Sequence, residues 1–461
     1  MNNKNNYWNG IDDSLKNQIM DYCNGYIQFL NAAKTEREAV REAVCLAGKN
    51  GFKDITQYDE LKPGDRVYGI NKNKSLFLAV IGNKPLTDGF NAVGAHIDAP
   101  RLDLKQNPLY EDTGLVLLKT HYYGGIKKYQ WTTIPLALHG IAALTDGTVV
   151  DINIGEDDSD PVFLITDLLP HLSGKQNSKK LSEGIPAENL NIVIGSIPSC
   201  EESDIADETK DVSARNTILA ILKEKYGINE DDFKSAEIEA VPAAKARSLG
   251  LDRSMVAAYG QDDRVCAYPA LTALMELGTP EHTALCILSD KEEIGSVGNT
   301  GMKSRNFELF LIDLLEKTGI ISPYALQRTL SASKALSADV TAAYDPTYSD
   351  VMEKNNAAYM GKGISIKKYT GARGKSGASD ANAEFIGYVR KIFEDNDVTY
   401  QSSEMGKVDE GGGGTIAYIL ADRGMEVLDC GVPIHSMHSP YESASKYDIY
   451  MAYKAYKAFL M

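Results

Sequence analysis

Positive charge is scarce in this chain: 48 Lys and Arg against 64 Asp and Glu leave a net charge of −16 over 461 residues. A surface that acidic repels phosphate backbones and anionic headgroups, which excludes nucleic acid and anionic membrane as main partners. Long apolar runs are missing as well. No stretch reaches the roughly 18 apolar residues that a membrane-spanning helix needs. The longest candidate, Ile134 to Leu144, is broken by His139-Gly140. The polar Met-Asn-Asn-Lys start has no apolar segment of the kind that marks a signal peptide. Cysteines are few and scattered (Cys23, Cys45, Cys200, Cys266, Cys286, Cys430), with no C-x-x-C pair. They read as free thiols of a reducing cytoplasm, not as a disulfide frame. No Gly-x-Ser-x-Gly elbow occurs and no Cys/His pairing stands out, so covalent catalysis is not expected. Gly371-Ala-Arg-Gly374-Lys375-Ser376 imitates a phosphate loop, but the position that must hold its first glycine holds Tyr369.

What is present is enough to build a large core. With 43% hydrophobic residues and this length, two domains are expected. Residues 12 to 48 read as two helices. Asp12-Asp13 caps the first, and the box Thr35-Glu-Arg-Glu38 caps the second. A hairpin follows around Asn71 to Lys74, then a strand ending at His96. From Asp103 to Val241 the texture becomes short and β-rich, including the acidic loop Gly155 to Asp160 and the polar stretch Ser199 to Asp211. This segment reads as a domain inserted into a discontinuous one made of 1–102 and 242–461. Alternating helices and strands resume after Ala244, with helices expected near Ala267–Leu277, Phe307–Lys317, Ser379–Phe393 and Ile416–Arg423, and from Ser445 to the end.

The chain is organised around Asp290-Lys-Glu292-Glu293-Ile-Gly295-Ser296, which follows the apolar run Ala284 to Ser289. A carboxylate pair at the end of a buried strand lies at the rim where α/β proteins bind ligands. Read as an extended segment, it points the two side chains in opposite directions, so one Glu can ligate a metal while the other faces an attacking water. Alone it reads as a solvated acidic loop. It gains meaning from four other segments. Gly94-Ala-His96-Ile-Asp98 places His96 and Asp98 two apart on an extended stretch, hence on one face. Asp98 can then accept the second N–H of a ligating imidazole. Asp262-Asp263 offers one carboxylate to bridge two ions and another to buttress the loop. Ser337-Ala-Asp339 gives one more carboxylate, and Met437-His438-Ser439 a second imidazole. Two divalent ions about 3.5–4 Å apart need that mixture of His, terminal carboxylates and one shared carboxylate. Mixed N/O ligation suits Zn²⁺, with Mn²⁺ or Co²⁺ as alternatives.

In order and type, these five motifs resemble those of the M18 metallo-aminopeptidases. The resemblance implies that Asp262 bridges two metals, that His96 and Asp339 complete one site, and that Glu293 and His438 complete the other. It leaves Glu292 as the general base acting on a metal-bridging water, with Asp98 orienting His96. It also implies a mixed sheet between helices (the dinuclear zinc exopeptidase fold), interrupted by a β-rich dimerisation domain at 103–241. Peptides are the implied substrates. Dimers assembling into a tetrahedral dodecamer are the implied partners, with His171 reaching a neighbour's substrate. Arg373 or Lys375 of the basic loop, and the backbone of Gly411 to Thr415, are further candidates for touching substrate. Another dinuclear amidohydrolase or carboxypeptidase-type enzyme is the alternative within the same chemistry. A non-catalytic scaffold is the alternative outside it, and the retention of every ligand and of Glu292 speaks against it.

Overall fold

A computed structural model describes residues 7–198 and 213–461; Cys200 and the stretch Ser199 to Asp211 lie outside them. The chain divides into two compact units. One contains Met1–Ala99, Ala246–Met437 and Tyr441–Met461; the other contains Pro100–Lys245 and His438–Pro440.

The first unit is built on a nine-stranded mixed sheet. Its centre is the parallel set Thr283–Ser289, Phe90–His96, Lys334–Ser337 and Glu426–Gly431. These strands are apolar on both faces. In Thr283–Ser289, Ala284, Cys286 and Leu288 enter one core while Leu285 and Ile287 enter the other. That period of two explains why the run reads as continuously hydrophobic: a parallel sheet is covered on both sides. One cover is made by the helices Asp13–Ala32, Glu36–Lys49, Gln261–Met275, Ala383–Asp395 and Lys446–Leu460. The other is made by Asn306–Lys317, Ala325–Ala332 and Ala417–Ala421. The result is a three-layer α/β/α sandwich. A smaller five-stranded sheet carries Met255–Ala258, Pro433–His435 and Glu442–Ser445.

The second unit is β-rich. Seven strands, largely antiparallel, form a sheet around Arg101–Asp112, Leu115–Tyr123, Leu136–Ala143 and Ala236–Pro242.

Helix starts follow local chemistry. Asp12 accepts the N–H of Leu15, and Thr35 with Glu38 forms the reciprocal box. Elsewhere the boundaries differ from the sequence reading. The helix expected from Ala267 begins at Gln261, although Asp262 and Asp263 keep non-helical angles. Pro269 sits inside it. The glycine run 411–415 does not lead straight into a helix. Gly412–Gly413 instead pairs with Gly371–Ala372, and the helix Ala417–Ala421 is shorter than the expected 416–423.

The C-terminal helix is tied to the sheet by a fully buried carboxyl group. Asp448 Oδ2 accepts the N–H of Gly361 at 2.7 Å and Oδ1 that of Gly363 at 2.6 Å. Asp448→Asn turns one acceptor into a donor facing an N–H. We expect it to cost about 2–3 kcal/mol. Scanning fluorimetry should show a lower unfolding midpoint with metal content unchanged; a wild-type midpoint would show that these bonds do not hold the helix.

Candidate metal centre

The candidate side chains from three stretches, at His96, Glu292-Glu293 and Asp339, lie at the carboxyl ends of the parallel strands, and Asp262-Asp263 follow Met255–Ala258 of the smaller sheet. His96 is the last residue of Phe90–His96 and pairs in register with Ser289, so the segment carrying Glu292 and Glu293 emerges beside it. Asp339 follows Lys334–Ser337, whose Ser337 pairs with Gly94. Gly431, ending the next strand, permits the close approach of this turn: a Cβ there would lie 1.9 Å from the Asp339 carbonyl oxygen.

Among the described residues, two groups of side chains offer ligand atoms all within 4.8 Å of one another. One is His96, Asp262 and Glu293; the other is His96, Asp263 and Asp339. His96 is common to both. Its Nε2 lies 3.1 Å from Asp262 Oδ1, while Nδ1 lies 3.3 Å from Asp98 Oδ1 and 3.1 Å from the Asp98 carbonyl. Asp98 thus holds the ring by Nδ1 and turns Nε2 toward the carboxylates, the arrangement of an oriented metal ligand. Glu292 Oε2 is 4.0 Å from the same Nε2. Asp263 Oδ2 accepts the backbone N–H of His96 at 3.3 Å, the buttress expected of it, while its carboxylate also belongs to the second group.

Glu292 and Glu293 are not on an extended segment, as the sequence reading assumed. They form a 3₁₀ turn, Glu292–Ile294, entered through Lys291 in the left-handed region. Successive side chains of such a turn diverge by about 120°, which still separates the two carboxylates. The turn is anchored by Asp98, whose Oδ1 accepts the N–H of Glu292 at 3.1 Å and Oδ2 that of Glu293 at 3.2 Å. Lys291 Nζ bonds Asp290 Oδ2 at 2.9 Å and Thr300 Oγ1 at 2.6 Å beneath it.

Several nearby residues escaped the sequence reading because they act through backbone atoms. Glu442 Oε2 accepts the N–H of Gln261 at 2.7 Å and of Asp262 at 3.1 Å. Arg264 Nη2 donates to the carbonyls of Ile97 at 2.9 Å and Lys34 at 3.1 Å. Lys367 Nζ donates to the carbonyls of Asp339 at 3.2 Å and Val340 at 2.9 Å. No local motif announces such contacts.

The remaining candidates lie elsewhere. His438 groups with the second unit, where its Nδ1 is 2.8 Å from the Gly125 carbonyl; that bond favours the tautomer with a lone pair on Nε2. His171 is exposed on the 3₁₀ turn Pro170–Leu172. Neither belongs to the two groups above. Lys375 bonds Asp380 at 3.1 Å and lies 4.0 Å from the Tyr369 ring centroid. Arg373 is exposed, in a left-handed backbone conformation.

The family model of the aminopeptidase I zinc metalloproteases (M18) matches residues 29–460. The chain belongs to the M18 peptidase family. Among its M18 relatives is a Clostridium acetobutylicum protein named probable M18 family aminopeptidase 1, 51% identical over 459 residues, 99% of this chain and 97% of the relative. The crystal structure of an M18 aminopeptidase from Thermotoga maritima matches with TM-score 0.94 at 44% identity, covering 100% of this chain and 99% of that one. The S. cerevisiae mApe1 dodecamer shares the fold, with TM-score 0.76 at 20% identity over 95% of each chain. This M18 protein is a metal-dependent aminopeptidase, and the other hydrolase and scaffold readings are not favoured.

The donor set fits zinc. Burial, then the Asp339 charge, pushes Asp263 well above the usual carboxylate range; burial, then Glu292, does the same to Asp339. His96 is raised despite burial, by its bonds to Asp262 and Asp98. Such a cluster gathers protons when no cation offsets it. All three groups bind more protons folded than unfolded. Metal-stripped protein therefore loses stability as pH rises from about 4 through their raised folded values. Zinc replaces those protons, so its stabilising effect grows over the same interval. Unfolding midpoints with and without a chelator, between about pH 5 and 8, should separate further as pH rises; a gap that closes toward pH 8 contradicts this protonation pattern.

Proposed function

We propose that this M18 enzyme is a two-metal aminopeptidase that removes N-terminal residues from peptides, with Glu292 as its proton carrier. The observation that carries this reading is the gathering of His96, Asp262, Glu293, Asp263 and Asp339 into two groups, the ligand atoms of each lying within 4.8 Å of one another; His96 Nε2 can serve one ion only, so the second ion relies on the other imidazole, His438. His96, Asp262, Asp339, Glu293 and His438 are assigned as ligands, Asp262 as the shared one and zinc as the metal. For His438 the support is its motif and its Nδ1 bond to Gly125, which suits ligation through Nε2. Two ions held there would supply Lewis acidity to the scissile carbonyl and to an attacking water.

The chain's own residues do the rest. Glu292 is fixed by its N–H to Asp98 while its carboxylate reaches toward His96 Nε2. It takes a proton from water during attack and returns it to the departing amine. Asp98 keeps His96 in one tautomer and orientation throughout.

Self-association through the second unit, to dimers and a tetrahedral dodecamer, is part of the proposal. Val162, Leu168, Leu169, Leu172 and Leu181 are each half-exposed or more, an apolar concentration that water-facing surfaces seldom keep. His171 lies within this run and is assigned a contact with a neighbour's substrate. The S. cerevisiae relative was solved as a dodecamer. A cytoplasmic setting is proposed from the scattered free thiols; no described helix is long and apolar enough to cross a membrane.

The test is a panel of aminoacyl chromogenic substrates with N-acetylated controls, assayed with Glu292→Gln in parallel. Free amines should be cleaved and blocked ones spared. Glu292→Gln should keep two metal equivalents and lose on the order of 10²–10⁴-fold in kcat. A variant within a few-fold of wild type would remove Glu292 from this role. Light scattering at micromolar concentration should report a large assembly, and a monomer would refute the oligomer.

A further inference from the structure

Glu442 is 1% exposed, yet it is a carboxylate with no role in the ligand set described above. It is the first residue of strand Glu442–Ser445, which pairs antiparallel with Met255–Ala258 so that Glu442 stands opposite Ala258. That pairing brings its side chain under the turn joining Ala258 to the helix Gln261–Met275. There Oε2 accepts two consecutive N–H groups, Gln261 at 2.7 Å and Asp262 at 3.1 Å. The Glu442 carbonyl accepts Gln261 Nε2 at 2.8 Å, which secures the same turn again. Asp262 and Asp263 have non-helical angles, so helix geometry alone does not fix the direction of the Asp262 carboxylate. On its other side the turn is held by Asp263, which takes the N–H of His96, and by Arg264, which takes the carbonyl of Ile97.

We infer that Glu442 is a positioning residue for metal binding: it sets the backbone of Asp262, and through it the aim of the shared carboxylate ligand. This rests on the two-metal reading above. A carboxylate accepting two adjacent N–H groups fixes both peptide planes, and charge-assisted bonds of this kind are about twice as strong as neutral ones. Gln at this position keeps the length and can place its amide oxygen where Oε2 accepts both N–H groups, but it loses the charge that strengthens those bonds. Loss of an outer partner of a metal ligand typically weakens metal affinity by about 10–100-fold. Asp262 is assigned to both ions, so both equivalents should weaken together.

The experiment measures zinc stoichiometry and affinity of the full-length protein by chelator competition, well below the unfolding midpoint. Wild type, Glu442→Gln, Glu442→Asp and Asp448→Asn are compared. Asp448 is a matched control, a buried carboxyl that also accepts two backbone N–H groups but is remote from the ligands in its partners. Glu442→Gln should bind both zinc ions at least tenfold more weakly, while Asp448→Asn lowers the unfolding midpoint and binds zinc as wild type does. Glu442→Asp keeps the charge one methylene short of the turn and should fall between wild type and Gln; it decides the matter if the Gln variant does not fold. Wild-type zinc affinity in either folded Glu442 variant overturns the inference and leaves the two-metal reading intact. Weakening of equal size in Asp448→Asn also overturns it, because any loss of stability would then loosen zinc. A wild-type protein that binds no zinc overturns the two-metal reading, and this inference with it.

Discussion

Everything at the centre of this protein depends on holding carboxylates together that repel one another. Asp98, Asp262, Asp263, Glu292, Glu293 and Asp339 come from four separate stretches of chain and surround one imidazole. At such distances and with such burial, like charges cost several kcal/mol even at an effective dielectric near 20. Burial, then neighbouring negative charge, raises the proton affinities of Asp263 and Asp339, and bonds to Asp262 and Asp98 raise that of His96 despite its burial. A site of this kind cannot be held by the attraction of its own side chains. It has to be imposed by the scaffold, which here is a sheet sealed in hydrophobic packing on both faces.

The scaffold delivers each candidate ligand only to a strand end; the last ångströms are set by the backbone. Two turns use the same device. Asp98 accepts the consecutive N–H groups of Glu292 and Glu293, and Glu442 accepts those of Gln261 and Asp262. Each carboxylate that orients a turn is itself neutralised in part by the amides it receives. The cations near the site are similarly committed: Arg264 and Lys367 point at backbone carbonyls. These cations therefore do not compete with a metal for the candidate ligand carboxylates.

This division explains how much was legible in the sequence. The His-x-Asp, Asp-Asp, Glu-Glu, Ser-Ala-Asp and Met-His motifs announce themselves because ligand chemistry restricts residue type at a strand end. Capped helices such as Glu36–Lys49 announce themselves because the Thr35–Glu38 box is local. Glu442 could not be read, since its partner lies 180 residues away and the contact is to a backbone N–H that every residue but proline carries. The short helix Ala325–Ala332 and the strand Ile364–Lys367 were passed over because eight and four residues give too little periodicity to separate from a loop. The 3₁₀ turn at Glu292 was read as extended for want of any local signal: it is entered through Lys291 in a left-handed conformation, which residue type does not predict for lysine.

The same electrostatics bears on why the enzyme takes peptides from their amino end. Six carboxylates crowd around one imidazole, while the cations beside them, Arg264 and Lys367, are committed to backbone carbonyls, so the nearest groups an incoming chain end meets are anionic. A free N-terminal ammonium entering that field is favoured, whereas an acylated terminus brings no compensating charge and an incoming carboxy-terminus is repelled. Burial sharpens the discrimination, because water and salt screen charges in a buried site less than charges on an exposed surface. Carboxylates that the scaffold crowds together thus favour a substrate end that brings positive charge. Preference among side chains is a separate matter, left to groups that are not ligands.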